Sequence, residues 1–437
     1  MRKILWPGLA LLLLVPAVLW SIAQWPSMSP WLGDRWWSVV VLVLLGGMAL
    51  WAFRPSRRDA QPNHPPQATD GSQGTAVAHA HARAPQTLLV RGASVATRCG
   101  NVPEAVLQAI GPQPSMPEPD PQWPDDQGLL RLSARCATLD VSRVTRALGE
   151  AAASAAVERP ALWRALALQA DALDGLQAAL QQLPSHTRLN VQWTVPDHWS
   201  ADERSLAQSW LKDELMARLW PDAGPVEIRL LPAVGLAGML HRLHAESLGN
   251  DESSGGGTSA TLVLACDSLI DPQHAPTAAV PGEAAAALLV QAPRAGDTSA
   301  HDEVLAQLSW PASPTSDVPP ERAVHDIAAH ALKAGPPTSA VGRVVSNVAL
   351  AGPDAQQVLD TIVELLPELD VGERLCRIGV ACGDLGCAGP LVALALGSHA
   401  SRHDRAAVLL LLAGPQPWAA VLSPTQVASS AAEASSS

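Results

Sequence analysis

Two apolar stretches near the N-terminus, residues 4–22 and 36–53, constrain this chain more than any other feature, because each is long enough to cross a bilayer as a helix. About 30 Å of hydrocarbon needs roughly 20 residues at about 1.5 Å per residue. The loop between the stretches carries only Asp34 and Arg35 as charges, and Trp20, Trp25, Trp31, Trp36, Trp37 and Trp51 gather at their ends, where an indole prefers the headgroup layer. A hairpin of two spans suits this pattern better than a cleaved signal peptide. Arg2 and Lys3 precede the first stretch and Arg54, Arg57 and Arg58 follow the second, against a single Arg35 between them. Basic residues flanking a span stay on the cytoplasmic side. Both ends of the hairpin, and the body that follows, are therefore expected in the cytoplasm.

Charge separates anchor from body. Residues 1–58 hold six Lys or Arg and one acidic residue, a net +5, so the rest of the chain carries −17 to reach the overall −12. An acidic body argues against nucleic acid, whose phosphates demand clustered Lys and Arg. The six cysteines, Cys99, Cys136, Cys266, Cys376, Cys382 and Cys387, contain no Cys-x-x-Cys pair. In the cytoplasm they are expected to stay reduced, with no disulfide.

The segment 59–86 is rich in Pro, Gln, His and Ala without apolar periodicity and is expected to be a flexible linker. The tail from 423 to 437 ends in Ala and Ser and is expected to be disordered. Between them, strand-like runs at 87–90, 188–195, 226–231, 261–265, 286–291, 343–350, 377–381, 408–413 and 419–422 alternate with helical runs at 103–110, 141–183, 201–219, 234–246, 320–333, 355–366 and 389–398. Such alternation predicts a layered α/β fold with buried strands. The body divides into a helix-rich half, 87–225, and a second half, 226–422. The Gly- and Ser-rich segments 251–259 and 292–302 read as exposed, mobile loops, and the first lacks the Lys-Ser or Lys-Thr of a phosphate-binding loop. No cofactor is expected.

Metal chemistry finds little support. His79 and His81 lie in the linker; His241 and His244 share a helix face, and His399 and His403 another. None of these pairs carries the Glu of a His-Glu-x-x-His helix, so solvated histidines are the favoured reading and no metal is expected. With no Tyr and only Phe53, aromatic anchoring in the body falls to tryptophan. Trp193, Trp199, Trp210 and Trp220 are the first to suspect as interface residues, against burial in the core.

The order Leu230-Leu-Pro-Ala-Val-Gly, a helical run, Thr261-Leu-Val-Leu-Ala-Cys-Asp-Ser-Leu, Pro281-Gly-Glu-Ala-Ala-Ala-Ala-Leu-Leu and Cys382-Gly-Asp-Leu-Gly-Cys-Ala-Gly resembles the thiolase and β-ketoacyl synthase superfamily, over about residues 226–422. The resemblance implies a thiolase-like body and a homodimer. It also locates an active site. In condensing enzymes of the superfamily a Cys opens a buried helix, where the dipole favours thiolate, and two His or a Cys and a His assist it. The matching place here is Pro232, Ala233 and Val234, and no Cys occurs from 137 to 265. The first His falls near Asn347, and Asp384 stands at the second. A carboxylate there repels a developing oxyanion, so the site reads as degenerate. Cys382 and Cys387 remain as outside candidates, since a late Cys in a Gly-rich turn acts as a base in the thiolase branch. Cys266 reads as core, and a zinc site from Cys376, Cys382 and Cys387 lacks the usual paired spacing.

Two readings of function follow. In the first, the protein is a membrane-anchored, non-catalytic adaptor on a thiolase-like scaffold, similar to accessory proteins encoded beside type VI secretion effectors. In the second, it is an acyl-transfer or acyl-binding enzyme of lipid metabolism using Cys382 or Cys387. A transporter is disfavoured, because neither span holds an ionisable residue.

Overall fold

A computed structural model of the chain describes residues 87–425 apart from 126, 150–157, 185–186, 220–225, 233–237, 239, 241–258, 272–278, 292–303, 310–318 and 415. The two apolar stretches, the 59–86 linker, most of the helix expected at 234–246, most of both Gly- and Ser-rich loops and most of the tail lie outside the described residues. Among the described residues no helix is long and apolar enough to cross a membrane. The chain separates into two compact units, Met1–Ala80 and His81–Ser437, and everything described here belongs to the second.

The first part of that unit runs β1 (Leu88–Thr97), α1 (Pro103–Ala109), β2 (Glu118–Pro124), β3 (Leu130–Ser133), α2 (Ser142–Leu148), α3 (Pro160–Gln181), β4 (Arg188–Thr194), α4 (Ala201–Arg218), β5 (Val226–Leu231), β6 (Ser259–Ser268) and β7 (Glu283–Gln291). The second runs β8 (Ala306–Leu308), α5 (Pro320–Ala334), β9 (Val341–Ser346), α6 (Pro353–Leu365), β10 (Leu375–Arg377), α7 (Ile378–Cys382), α8 (Gly389–Asp404), β11 (Ala407–Leu412) and β12 (Trp418–Ser423).

Ten strands form one sheet in the order β10-β9-β11-β12-β8-β1-β7-β6-β4-β5. The order conceals a duplication. In the first half β1 pairs antiparallel with β7, β7 antiparallel with β6, β6 parallel with β4, and β4 parallel with β5. In the second half β8, β12, β11, β9 and β10 repeat the same neighbours and the same directions. The two halves meet where β1 runs antiparallel to β8.

Side-chain alternation distributes the core among layers. On β7, Ala284, Ala286, Leu288 and Val290 enter a central cluster, whereas Ala285, Ala287 and Leu289 face an outer one with α3 and α4. On β11, Val408, Leu410 and Leu412 share the central cluster, and Leu409 and Leu411 face α5 and α6. Both faces of these strands are covered, so they read as unbroken apolar runs. Helix α8 packs on strands of both halves, with Leu391–Leu396 buried in the central cluster. A helix enclosed on every side has no polar stripe.

Small residues set the closest approaches. A Cβ on Gly397 of α8 would stand 2.5 Å from Leu410 and 2.8 Å from Leu422. On the outer face, Gly92 and Ser94 of β1 lie against Ala179 and Gly175 of α3, and the Ser94 hydroxyl donates to the Ala172 carbonyl.

Several expectations are corrected. Among the described residues the helical run 141–183 is not continuous, because Gly149 takes φ +88 after α2 and Pro160 opens α3. The run 377–381, expected as a strand, is extended only through Arg377 and then turns helical, where Gly379 fits against the backbone of Asn347 and Val348. The β2–β3 hairpin and β8 were not expected. Trp193, Trp199 and Trp210 are 0%, 5% and 1% exposed, which removes them as surface anchors. They pack on one another instead, with Trp193 ring centroids 6.3 Å from Trp199 and 6.4 Å from Trp210. Trp220 lies outside the described residues.

Candidate functional site

The turn entering α8 gathers most of the residues that the sequence singled out. Asp384 forms a backbone bridge with Pro281, its N–H donating to the Val280 carbonyl at 2.8 Å and its carbonyl accepting from Gly282 at 2.8 Å. The chains approach so closely because both contribute glycine. Gly383 sits at φ +68, where an added Cβ would meet the Val280 oxygen at 2.5 Å. Asp384 itself is exposed, and its Oδ1 accepts the Gly386 N–H at 3.0 Å.

Asn347 follows β9 close by, since a Cβ on Gly379 would stand 2.5 Å from the Asn347 carbonyl oxygen. Its side-chain amide pairs with the backbone of Ala413. Nδ2 donates to the Ala413 carbonyl at 2.9 Å and Oδ1 accepts the Ala413 N–H at 3.0 Å. Val234 lies outside the described residues, and Pro232 is exposed at the end of β5.

Burial and neighbouring groups raise the thiol pKa of both outside candidates. Cys382 is 1% exposed, and its hydrogen bond with Cys99 and its burial both push the thiol pKa up. Cys387 donates through Sγ to the Cys266 carbonyl at 3.3 Å, and burial followed by the neighbouring Asp267 pushes it well up. Only the thiolate attacks. Cys376 lies apart, accepting from Arg343 Nη1 at 3.4 Å while Arg343 Nε holds Asp404 at 2.7 Å.

Sequence reasoning passed over two buried acids beside this turn. Glu283, 0% exposed at the start of β7, accepts from the Cys136 N–H at 2.5 Å, from Ser268 Oγ at 3.1 Å and from Arg164 Nε at 2.8 Å. Arg164 also donates to the Cys136 carbonyl at 2.8 Å, so one guanidinium fastens α3 to β7 and to the 136 loop. Asp267, at the end of β6, accepts the Cys387 N–H at 3.0 Å. Burial raises its pKa to about 6 against that hydrogen bond.

The histidine pairs do not converge. His399 is half-buried with Nε2 2.8 Å from the Ala93 carbonyl oxygen and Nδ1 3.4 Å from Glu104, whereas His403 is exposed beside Asp404. His79, His81, His241 and His244 lie outside the described residues. Among the described residues no group of three His, Cys, Asp or Glu is arranged to hold a metal.

No protein-family model matches the chain, and no curated protein matches it. Solved structures do. The ishigamide ketosynthase/chain length factor superposes with a TM-score of 0.54 at 15% identity, over 77% of this chain and 99% of that one. A type II PKS ketosynthase, in complex with its acyl-carrier protein and bound to the hexaketide, gives 0.53 at 12% identity, over 78% and 99%. A β-ketoacyl synthase from Burkholderia phymatum gives 0.51 at 12% identity, over 78% and 99%. The body has the thiolase-like fold.

The turn entering α8 carries Asp384, an exposed carboxylate tied into its own turn.

Proposed function

We propose that this chain is a membrane-anchored, non-condensing protein that uses a thiolase-like scaffold to hold a protein partner. The observation that carries the reading is the pair of replacements at the site: no Cys anywhere in 137–265 and Asp384 where the superfamily resemblance calls for His. An anion at that point opposes the oxyanion a condensation must build. Asn347 is held on Ala413 through both ends of its amide. The apolar stretches 4–22 and 36–53 anchor the body at a bacterial inner membrane with the body in the cytoplasm, and the resemblance supports a homodimer. The partner of this reading is a secreted effector or a secretion component, such as a type VI effector held before loading.

The acyl-transfer reading needs a thiolate at Cys382 or Cys387, and both thiols are pushed the other way. Two measurements on the detergent-solubilised chain decide between them. Intact mass after incubation with acyl-CoA and acyl-loaded carrier protein is expected to show no acyl adduct. A tagged pull-down from the native cells is expected to recover a protein at equal stoichiometry. A single acylated cysteine, or recovery of acyl carrier protein alone, overturns the adaptor reading.

A further inference from the structure

The sulfurs of Cys99 and Cys382 lie 3.7 Å apart although 283 residues separate them in sequence. Backbone geometry holds each in place. Cys99 occupies a tight turn in which Thr97 and Gly100 exchange both backbone hydrogen bonds, at 2.9 and 3.0 Å, with Gly100 at φ +121. Thr97 Oγ1 accepts the Cys99 N–H at 3.2 Å. Cys382 closes α7, with Gly383 at φ +68 behind it and Gly282 pressed on its carbonyl.

We propose that Cys99 and Cys382 are a peroxide-reactive pair that closes reversibly into an intramolecular disulfide, fastening the end of β1 to the turn that carries Asp384. The remaining cysteines face other groups. Cys387 points to the Cys266 carbonyl, Cys136 to the Glu283 carbonyl at 4.0 Å, and Cys376 accepts from Arg343.

Exposure divides the roles. Cys99 is half-buried and reachable, whereas Cys382 is 1% exposed. Arg98, whose Nη1 donates to the Ala381 carbonyl at 3.2 Å and the Ser115 carbonyl at 3.3 Å, holds a positive charge beside the pair. The hydrogen bond from Cys382 and then Arg98 lower the Cys99 pKa to about 7 against its burial, so Cys99 carries the thiolate.

In the first step the Cys99 thiolate sulfur attacks one oxygen of hydrogen peroxide. An S–O bond forms, the O–O bond breaks, and hydroxide leaves to be protonated to water; Cys99 becomes a sulfenic acid. In the second, the Cys382 thiol gives up its proton and the thiolate so formed attacks the Cys99 sulfur, while the departing hydroxyl oxygen takes up a proton. The S–S bond forms, the S–O bond breaks, and a second water leaves. Two thiols have lost two electrons and two protons, and one peroxide has become two waters. The sulfurs close from 3.7 Å to a bond of about 2.05 Å. A dithiol reductant reverses the change by exchange.

The test uses the full chain in detergent, reduced, desalted and treated at pH 7 with a few equivalents of hydrogen peroxide, then denatured in N-ethylmaleimide. The expected result is a loss of two maleimide additions and a Cys99–Cys382 linked peptide that dithiothreitol removes. Cys382→Ser is expected to leave the Cys99 sulfenic acid open to capture by dimedone. Without peroxide, iodoacetamide is expected to label Cys99 at least tenfold faster than the other five cysteines of the wild-type chain. The proposal is overturned by retention of all six thiols while N-acetylcysteine in the same tube oxidises, by a link between other cysteines, or by equal labelling rates.

Discussion

Gly282 lies so close to Cys382 that a Cβ on the glycine would stand 2.1 Å from the cysteine carbonyl oxygen. The contact joins the strand entry of β7 to the end of α7, two segments from opposite halves of the duplicated fold, at the turn where Asp384 sits. Its position explains why Pro281-Gly-Glu and Cys382-Gly-Asp read together as one signature: each supplies the glycine that the other's backbone requires.

Gly282→Ala is therefore expected to destabilise the body by about 3 kcal/mol or more, since both obstructing atoms nearest the new Cβ are backbone and neither can rotate away. Gly100→Ala, where nothing lies within 4 Å, carries only the strain of its positive φ and is expected to cost less. Urea unfolding of the two variants in detergent, followed by tryptophan fluorescence, compares them; equal losses would contradict the packing account.

Arg164 and Glu283 form a buried ion pair with side-chain exposures of 14% and 0%. Removing the cation alone strands a carboxylate in the core, so Arg164→Met is expected to cost roughly 3–5 kcal/mol. Adding Glu283→Met removes the stranded charge. The double variant is expected to lose less than the sum of the single losses, and a double-mutant cycle that shows simple additivity would refute the coupling.

The alternation of strand and helix was legible in the sequence because the strands buried on both faces, such as Ala284–Val290, carry no polar residue to blur them. The turn that carries Asp384 was legible for a related reason: Gly383, Gly386 and Gly389 mark it locally. Arg377–Ala381 was misread because five residues, of which only Ile378, Val380 and Ala381 are apolar, carry too little periodicity to separate strand from helix. Strand β2, Glu-Pro-Asp-Pro-Gln-Trp-Pro, was missed because proline is excluded from central strands yet tolerated in a two-stranded edge such as β2–β3. Cys99 beside Cys382 and Arg164 beside Glu283 have no local signature, since the chain brings them together across 283 and 119 residues.

Trp210 was a candidate surface anchor and is instead 1% exposed against Trp193. Trp210→Ala is expected to cost roughly 3–5 kcal/mol of stability and to erase much of the near-ultraviolet circular dichroism that the packed indoles generate. At temperatures where the variant stays folded, partner recovery in a pull-down is expected to be unchanged. Loss of the partner without loss of stability would return Trp210 to the interface.

Asp267 gives the body a pH dependence of defined sign. Burial raises its pKa from 3.8 to about 6, with Asp384 adding repulsion and the Cys387 N–H opposing both. The folded state therefore holds a proton between pH 3.8 and 6 that the unfolded chain has released, and stability falls as pH rises through that window. The full penalty, up to about 3 kcal/mol at 1.36 kcal/mol per pH unit, is present above pH 6. Its Oδ1 is buried without a hydrogen-bond partner among the described residues, and Oδ2 would lie 2.1 Å from a Cβ on Gly386, so the carboxylate has no room to turn toward water. Asp267→Asn keeps the acceptor for Cys387 and removes the charge. The variant is expected to be more stable than wild type at pH 7.5 and to match it below pH 4, where both side chains are neutral. Thermal midpoints measured across this range test the assignment, and a stability difference that stays constant from pH 4 to pH 7.5 would refute it.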